Sequence, residues 1–343
     1  MKDITVLITG CGSYWMKMIL SSLLCVSERQ IKIIGVDASP NEEIRPFLDL
    51  YFKVPKSSDF TYIDKVFKIC NENDVDVIIP TIDCELPLFA KNRKRFEEIG
   101  CTFNLSSYES IKRVQDKSNL LCELRNESFI PRFSIIRNVK DFSYFYEKDF
   151  VLKYPFGEGS RGLAIVSRNV DAYDEFIKTK RNNRRMTFDE CLNIVRSMPS
   201  DEKLIAQELL TGTEYSMNFL CDKGSIVECS GKINKVVENS MPLSSVSWFC
   251  EEAYSIGKKV ISKFGLHGNI GMDFMFKNAG SCELKLLEVN PRITATSGFD
   301  TVVGKNLIYG GIKQALGEEL PTFGNGKKIR KTTKIEEVFK EEE

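Results

Sequence analysis

Apolar residues cluster along this chain in two rhythms. In the first third, short unbroken apolar runs alternate with segments of helical spacing. Further on, runs with the two-residue alternation of half-buried strands follow one another with only turns between them. Residues 4–9 form the first run, Gly10-Cys11-Gly12-Ser13 follows, and residues 14–24 have helical spacing. A second run, 31–36, ends at Asp37. Residues 60–73 read as an amphipathic helix, 75–80 as a buried parallel strand, and a further helix reaches Ile99 before a short strand near Thr102. Residues 107–126 read as one helix that Ile130-Pro131 closes off.

Beyond residue 150 the pattern changes. Strands are predicted at 150–154, 163–167, 204–210, 213–220 and 225–233, with a helix at 186–198 and another at 248–264. Residues 234–247 show little periodicity and are expected to form a loop. GMDFMF (271–276) and LKLLEV (284–289) then read as a hairpin across the turn residues KNAGS, and 304–316 as a last helix. The tail after Phe323 is charged and thin in apolar residues.

With 343 residues and 42% hydrophobic content, the chain suits two or three domains with real cores. Lys+Arg and Asp+Glu both number 48, which argues against nucleic acid or an acidic membrane as partner. The longest apolar runs fall short of a membrane span. The N-terminus reads as a strand rather than a signal peptide, and the scattered cysteines lack metal spacing; a cytoplasmic location with reduced thiols is expected. His267 is the only histidine, so a Ser-His-Asp hydrolase is improbable. Its place at a turn suggests a structural role.

Several segments carry candidate chemistry. The strand, glycine turn, helix, strand and acid over residues 4–37 open a Rossmann-like unit, with Asp37 placed for a ribose. Trp15 occupies the position of the third fingerprint glycine, however, which points to a degenerate nucleotide fold. Asp83 and Glu85 follow the strand 75–80 at the sheet edge where α/β proteins hold ligands. They suit a substrate amine, while Asp83 equally suits a helix N-cap. Lys153 precedes Gly157, Gly159, Ser160, Arg161 and Gly162, a flexible turn whose N–H groups can approach phosphate. No Walker A lysine follows, and 178–185 (KTKRNNRR) is a basic insertion. Asp273, Glu288 and Asn290 on the hairpin offer oxygen ligands to a hard divalent cation, or are ordinary solvated groups. Arg292 beside them suits a phosphoryl or carboxylate group.

The order of these motifs is more telling than any one of them. Lys117, Lys153 before GEGSRG, QELL (207–210), Glu214, Asp273 and EVNPR (288–292) together resemble the ATP-grasp superfamily. Within it, the chain resembles single-module relatives of the carbamoyl phosphate synthetase large subunit, which itself carries two such modules. The resemblance implies a mixed α/β and α+β architecture. A Rossmann-like pre-ATP-grasp domain (1–113) would precede a two-subdomain ATP-grasp region. That region would comprise a lid at about 114–210 and a larger subdomain at about 211–323, with a charged tail at 324–343. It further implies that Lys117, Lys153 and residues 157–162 bind nucleotide phosphates, and that Glu208, Leu209 and Leu210 meet the adenine edge. Glu214 would take the ribose, while Asp273, Glu288 and Asn290 would hold Mg2+ (Mn2+ as a substitute). Arg292 would act with Lys153 on the transferring phosphoryl group. The implied cofactors are ATP and Mg2+, and the implied partners a small-molecule carboxylate and an amine; the family also allows a homodimer. The usual reaction is a carboxylate–amine ligation through an acylphosphate, the alternatives being a kinase-like enzyme and a non-catalytic nucleotide binder.

Overall fold

A computed structural model describes residues 1–13, 15–156, 162–170, 175, 185–238 and 241–324. Its strands form three five-stranded sheets. The first contains β1 (Ile4–Thr9), β2 (Ile31–Asp37), β3 (Leu50–Lys53), β4 (Val77–Ile79) and β5 (Thr102–Phe103), all parallel, in the order β3-β2-β1-β4-β5. Helices α1 (Met16–Leu24) and α2 (Tyr62–Glu72) make crossovers, so strand order reverses beside β1. The carboxyl ends of β1 and β4 therefore flank a topological switch point.

The predicted helix to Ile99 is two short ones, α3 (Leu86–Lys91) and α4 (Arg93–Glu97), separated at Asn92. The single helix expected over 107–126 is likewise divided into α5 (Tyr108–Gln115) and α6 (Lys117–Glu123). Asp116 causes that break: its carboxylate accepts from the Ser118 and Asn119 amides, a strong N-cap that fixes Lys117 at the first helical position.

The second sheet has the order β6-β10-β7-β8-β9, from β6 (Phe133–Ile136), β7 (Phe150–Lys153), β8 (Leu163–Val166), β9 (Arg185–Met186) and β10 (Leu204–Glu208). Its apolar face packs on α7 (Phe188–Ser197), which Thr187 and Glu190 start with a reciprocal capping box. The third sheet, β13-β12-β11-β14-β15, is antiparallel throughout. It contains β11 (Glu214–Asp222), β12 (Ser225–Glu238), β13 (Met241–Ser247), β14 (Gly268–Phe276) and β15 (Leu284–Asn290), backed by α8 (Glu251–Phe264). The loop expected at 234–247 is instead paired strand: β12 extends to Glu238 and β13 returns beside it. The apolar alternation is hidden there because Asn234 and Ser245 are buried and satisfy one another, Ser245 Oγ donating to Asn234 Oδ1 at 3.0 Å.

The units share their cores. Ile308, Tyr309 and Ile312 of the last helix, α10 (Leu307–Ala315), pack with Ile4, Val6 and Ile8 of β1 and with α1. A short helix, α9 (Gly298–Val302), lies against α1, where Gly298 approaches the Met18 carbonyl so closely that a Cβ would sit 2.3 Å from its oxygen. The C-terminal segment thereby ties the parallel sheet to the third sheet.

Candidate active site

The third sheet is amphipathic across its thickness, as period-two alternation dictates. On β11, Tyr215, Met217, Phe219 and Cys221 enter the core beneath α8, while Glu214, Ser216 and Asn218 face the other way. Lys232 and Asn234 on β12, Asp273 on β14 and Glu288 and Asn290 on β15 join that polar face. Cross-strand register sets Asp273 directly opposite both Ser216 and Glu288. Ser216 Oγ donates to Asp273 Oδ1 at 2.7 Å, and the Asn290 amide reaches Asp273 Oδ2 at 3.2 Å and Glu288 Oε1 at 3.3 Å. Behind Ser216, Asn234 Nδ2 donates to its hydroxyl at 3.1 Å, continuing the network to Ser245. Sequence reasoning missed this supporting chain; its only signal was the polar residue at every second position of 214–218.

Electrostatics marks the pair of carboxylates as a place for positive charge. Burial, reinforced by the negative charge of Glu288, pushes the Asp273 carboxyl up to about 7. Burial also works against Glu288, but Lys117 and Lys153 outweigh it and hold its carboxyl below the usual value. Lys117 Nζ sits 3.2 Å from Glu288 Oε2. Lys153, at the end of β7 on the second sheet, is pushed down to about 8 by burial and by Lys117, while Glu288 pulls the other way. Residues separated by over a hundred positions thus converge between two sheets. Two carboxylates, an amide and two ammonium groups fit a hard divalent cation together with phosphate oxygens.

The remaining candidates divide. Glu214 lies near Glu288, and burial raises its carboxyl. Glu208 ends β10 and Leu209 and Leu210 follow it in the passage to the third sheet, where Glu208 Oε2 accepts from the Arg132 amide at 3.2 Å. Gly162 has φ +70°, a left-handed position that suits glycine, and its carbonyl accepts from the Tyr154 amide at 2.7 Å. Gly157, Gly159, Ser160 and Arg161, the basic stretch 178–184 and the tail from 325 lie outside the described residues. Arg292 makes a bidentate ion pair with Asp83, Nε to Oδ1 at 2.7 Å and Nη2 to Oδ2 at 2.6 Å. Asp83 is therefore not the helix N-cap its sequence context offered. It opens a 3-10 turn, Asp83–Glu85, with no cap hydrogen bond, and its carboxylate is already engaged.

Glu85 is buried, and Asp37 is engaged by its own turn. Glu85 is 2% exposed and accepts from Thr9 Oγ1 at 2.5 Å and Tyr62 Oη at 2.7 Å. Burial drives its carboxyl up to about 7 despite those bonds. The folded chain thus holds this proton more tightly than the unfolded chain does, and stability falls as pH rises from about 4.5 to 7. Glu85→Gln is expected to flatten that slope, removing on the order of 2–3 kcal/mol of pH dependence in denaturant titrations at pH 5 and pH 8. An unchanged slope would assign the dependence to other groups. Asp37 accepts from the Gly12 amide at 2.8 Å and the Ser39 amide at 2.7 Å, closing its own turn. Trp15 packs into the core beside α1. The N-terminal glycine turn is thus stabilised by the chain itself. His267 stands apart from the cleft: its backbone pairs with Ser106, and its ring lies 3.4 Å from Asp222.

A buried ion pair flanks the site. Lys232 and Asp300 side chains are both 0% exposed, 3.5 Å apart, with Asn218 Nδ2 donating to Asp300 at 2.6 Å and Lys232 Nζ to the Thr296 carbonyl at 3.3 Å. They pin the 294–298 loop that follows Arg292. Lys232→Met is expected to destabilise the fold by about 3–5 kcal/mol, because it strands a buried carboxylate. Adding Asp300→Asn should recover part of that loss in denaturant unfolding, whereas additive losses would deny the pairing.

These features define a cleft between a mixed sheet and an antiparallel one whose charged groups suit a cation and phosphate oxygens, preceded by a parallel α/β domain. A family model described as an ATP-grasp domain matches residues 114–296, and one described as a PylC-like N-terminal domain matches residues 6–104. The first covers more than half of the chain, and the chain belongs to the ATP-grasp family, whose members include ATP-dependent ligases that use Mg2+. No curated protein matches it in sequence. Among solved structures it is similar in fold to N5-carboxyaminoimidazole synthetase from Staphylococcus aureus complexed with ADP, at 16% identity and a TM-score of 0.65, covering 93% of this chain and 78% of that one. The biotin carboxylase domain dimer of Hydrogenobacter thermophilus 2-oxoglutarate carboxylase, with MgADP, ADP and bicarbonate, gives 17% and 0.65 over 94% and 72%. An L-amino acid ligase from Bacillus licheniformis gives 15% and 0.63 over 92% and 75%. Among the described residues, no helix is long and apolar enough to cross a membrane.

Proposed function

We propose that this chain is an ATP- and Mg2+-dependent carboxylate–amine ligase acting on a small metabolite. Its product would be an amide or peptide-like bond, made through an acylphosphate with release of ADP and phosphate. The observation that carries the reading is the convergence of Lys117 and Lys153 on the buried pair Asp273 and Glu288. Mg2+, when bound, would neutralise phosphate charge and polarise the transferring group. Asp273, Glu288 and the Asn290 side-chain oxygen would hold it; the amide would present that oxygen by rotating half a turn, since O and N are interchangeable in shape.

Each protein group then has a task that needs no histidine base. Lys117 and Lys153 bind phosphate oxygens as point charges, and Arg292 presents a planar cation toward the transferring phosphoryl group. Residues 157–162, of which only Gly162 lies among the described residues, are assigned by their glycine pattern to the β- and γ-phosphates; Glu208 to Leu210 would pair with the adenine edge, and Glu214 would accept from the ribose hydroxyls. A carboxylate is a poor acyl donor until its oxygen becomes part of a good leaving group, so phosphorylation must come first. The same surroundings exclude water while the amine attacks.

The test is a screen of metabolite acids and amines for ADP release, followed by mass spectrometry of products. A hit made with an 18O-labelled carboxylate should deliver one labelled oxygen to phosphate and require the amine for amide formation. ADP and a phosphorylated acid formed without any amine would favour the kinase-like alternative. Nucleotide binding without turnover across the screen would favour the non-catalytic one.

A further inference from the structure

The ion pair between Arg292 and Asp83 joins residues 209 positions apart, one just past β15 and one just past β4 at the carboxyl edge of the parallel sheet. We propose that Asp83 is a positioning residue for Arg292, so that the N-terminal domain completes the phosphoryl-transfer site. This rests on the placement of Arg292 at the transferring phosphoryl group proposed above.

An arginine side chain on its own carries substantial rotamer entropy. Two short, parallel bonds from one carboxylate remove it and fix the guanidinium plane. Both partners are largely withdrawn from water, with side chains 14% and 22% exposed, so the pair is stronger than a surface one. A third bond, Nη1 to the Ile293 carbonyl at 3.0 Å, fixes the same group from the loop that follows β15.

Asp83 is itself held from several sides. The Gln115 side chain donates to its carbonyl at 2.6 Å. Two residues later Glu85 is clasped by Thr9 and Tyr62. Two residues earlier, Thr81 exchanges hydrogen bonds with Thr9, amide to hydroxyl at 3.0 Å and hydroxyl to carbonyl at 2.8 Å. The turn after β4 is thus fastened to the end of β1, and it hands that rigidity to Arg292. A carboxylate held this way is a fixed reference point rather than a mobile arm, which is what a positioning group requires. It also means that a substrate seated at the switch point of the parallel sheet lies next to the arginine that acts on the phosphoryl group.

The experiment uses the full chain and hydrolysis of MgATP without added acceptor, with MgADP titration as the check of an intact nucleotide site. Asp83→Asn should lower kcat about tenfold to thirtyfold, with KM for MgATP and MgADP affinity within about threefold of the parent. Asp83→Glu, which retains a carboxylate, should recover part of kcat. In the Arg292→Lys background, Asp83→Asn should cause no further loss, because the group it positions is gone. If Asp83→Asn protein fails to bind MgADP, the same cycle with Asp83→Glu carries the test: a loss beside Arg292 and none in the Arg292→Lys background is the expected result. An effect of Arg292→Lys with none from either Asp83 variant, or losses that multiply in the double variant, would overturn the positioning role alone. An Arg292→Lys variant as active as the parent would overturn the assignment of Arg292 as well.

Discussion

Glu288→Gln is expected to lower turnover by on the order of a hundredfold to a thousandfold while leaving the fold intact. The carboxylate of Glu288 is the one negative charge in the cleft that two lysines favour, and burial has been overcome to keep it ionised. An amide keeps the shape but offers a divalent cation no charge, and it leaves Lys117 beside a neutral group 3.2 Å away. Nucleotide binding should be affected much less than rate, since the two ammonium groups still meet the phosphates. The check is kcat alongside the Kd for ADP measured with and without Mg2+. The Mg2+ dependence of binding should largely vanish in the variant. Parental kcat in a folded variant would reduce the hairpin to a surface feature.

Lys153→Met should weaken MgATP binding roughly 10- to 150-fold, corresponding to the loss of a charge-assisted contact of about 1.5–3 kcal/mol. AMP binding should change little, because only the polyphosphate reaches this side chain. Burial lowers the Lys153 ammonium to about 8, so parental affinity for MgATP should decline as pH rises from 7 to 9 and the charge is lost. The methionine variant should not show that decline. Equal losses for ATP and AMP would remove Lys153 from the phosphate site.

Legibility followed the physical source of each signal. Where one chain segment carries its own pattern, the sequence sufficed: the parallel strands at 4–9 and 31–37, the helix near 62–72 and the hairpin carrying Asp273 and Glu288 were read directly. The break at Asp116 is invisible to apolar spacing, because a single capping carboxylate outweighs the helical pattern that runs across it. The strand pair over 225–247 was half lost because its inward positions are polar; Asn234, Ser245 and Lys232 are buried by partners, not by apolarity. The metal and phosphate candidates were legible through the order of motifs, and their convergence is a tertiary fact. Asp83 shows the limit most plainly. Its neighbours in sequence suggest a cap or an amine contact, and only folding brings it to Arg292, 209 residues away.

The most direct test of the central claim is a crystal structure of this chain with Mn2+ and a non-hydrolysable ATP analogue, with anomalous scattering locating the metal. The expected result is a metal peak within about 2.3 Å of oxygens from Asp273, Glu288 and Asn290. The triphosphate should lie against Lys117 and Lys153, and the adenine at Glu208 to Leu210. A nucleotide bound instead at the Gly10 to Ser13 turn, or a metal held away from the β14–β15 hairpin, would contradict the account.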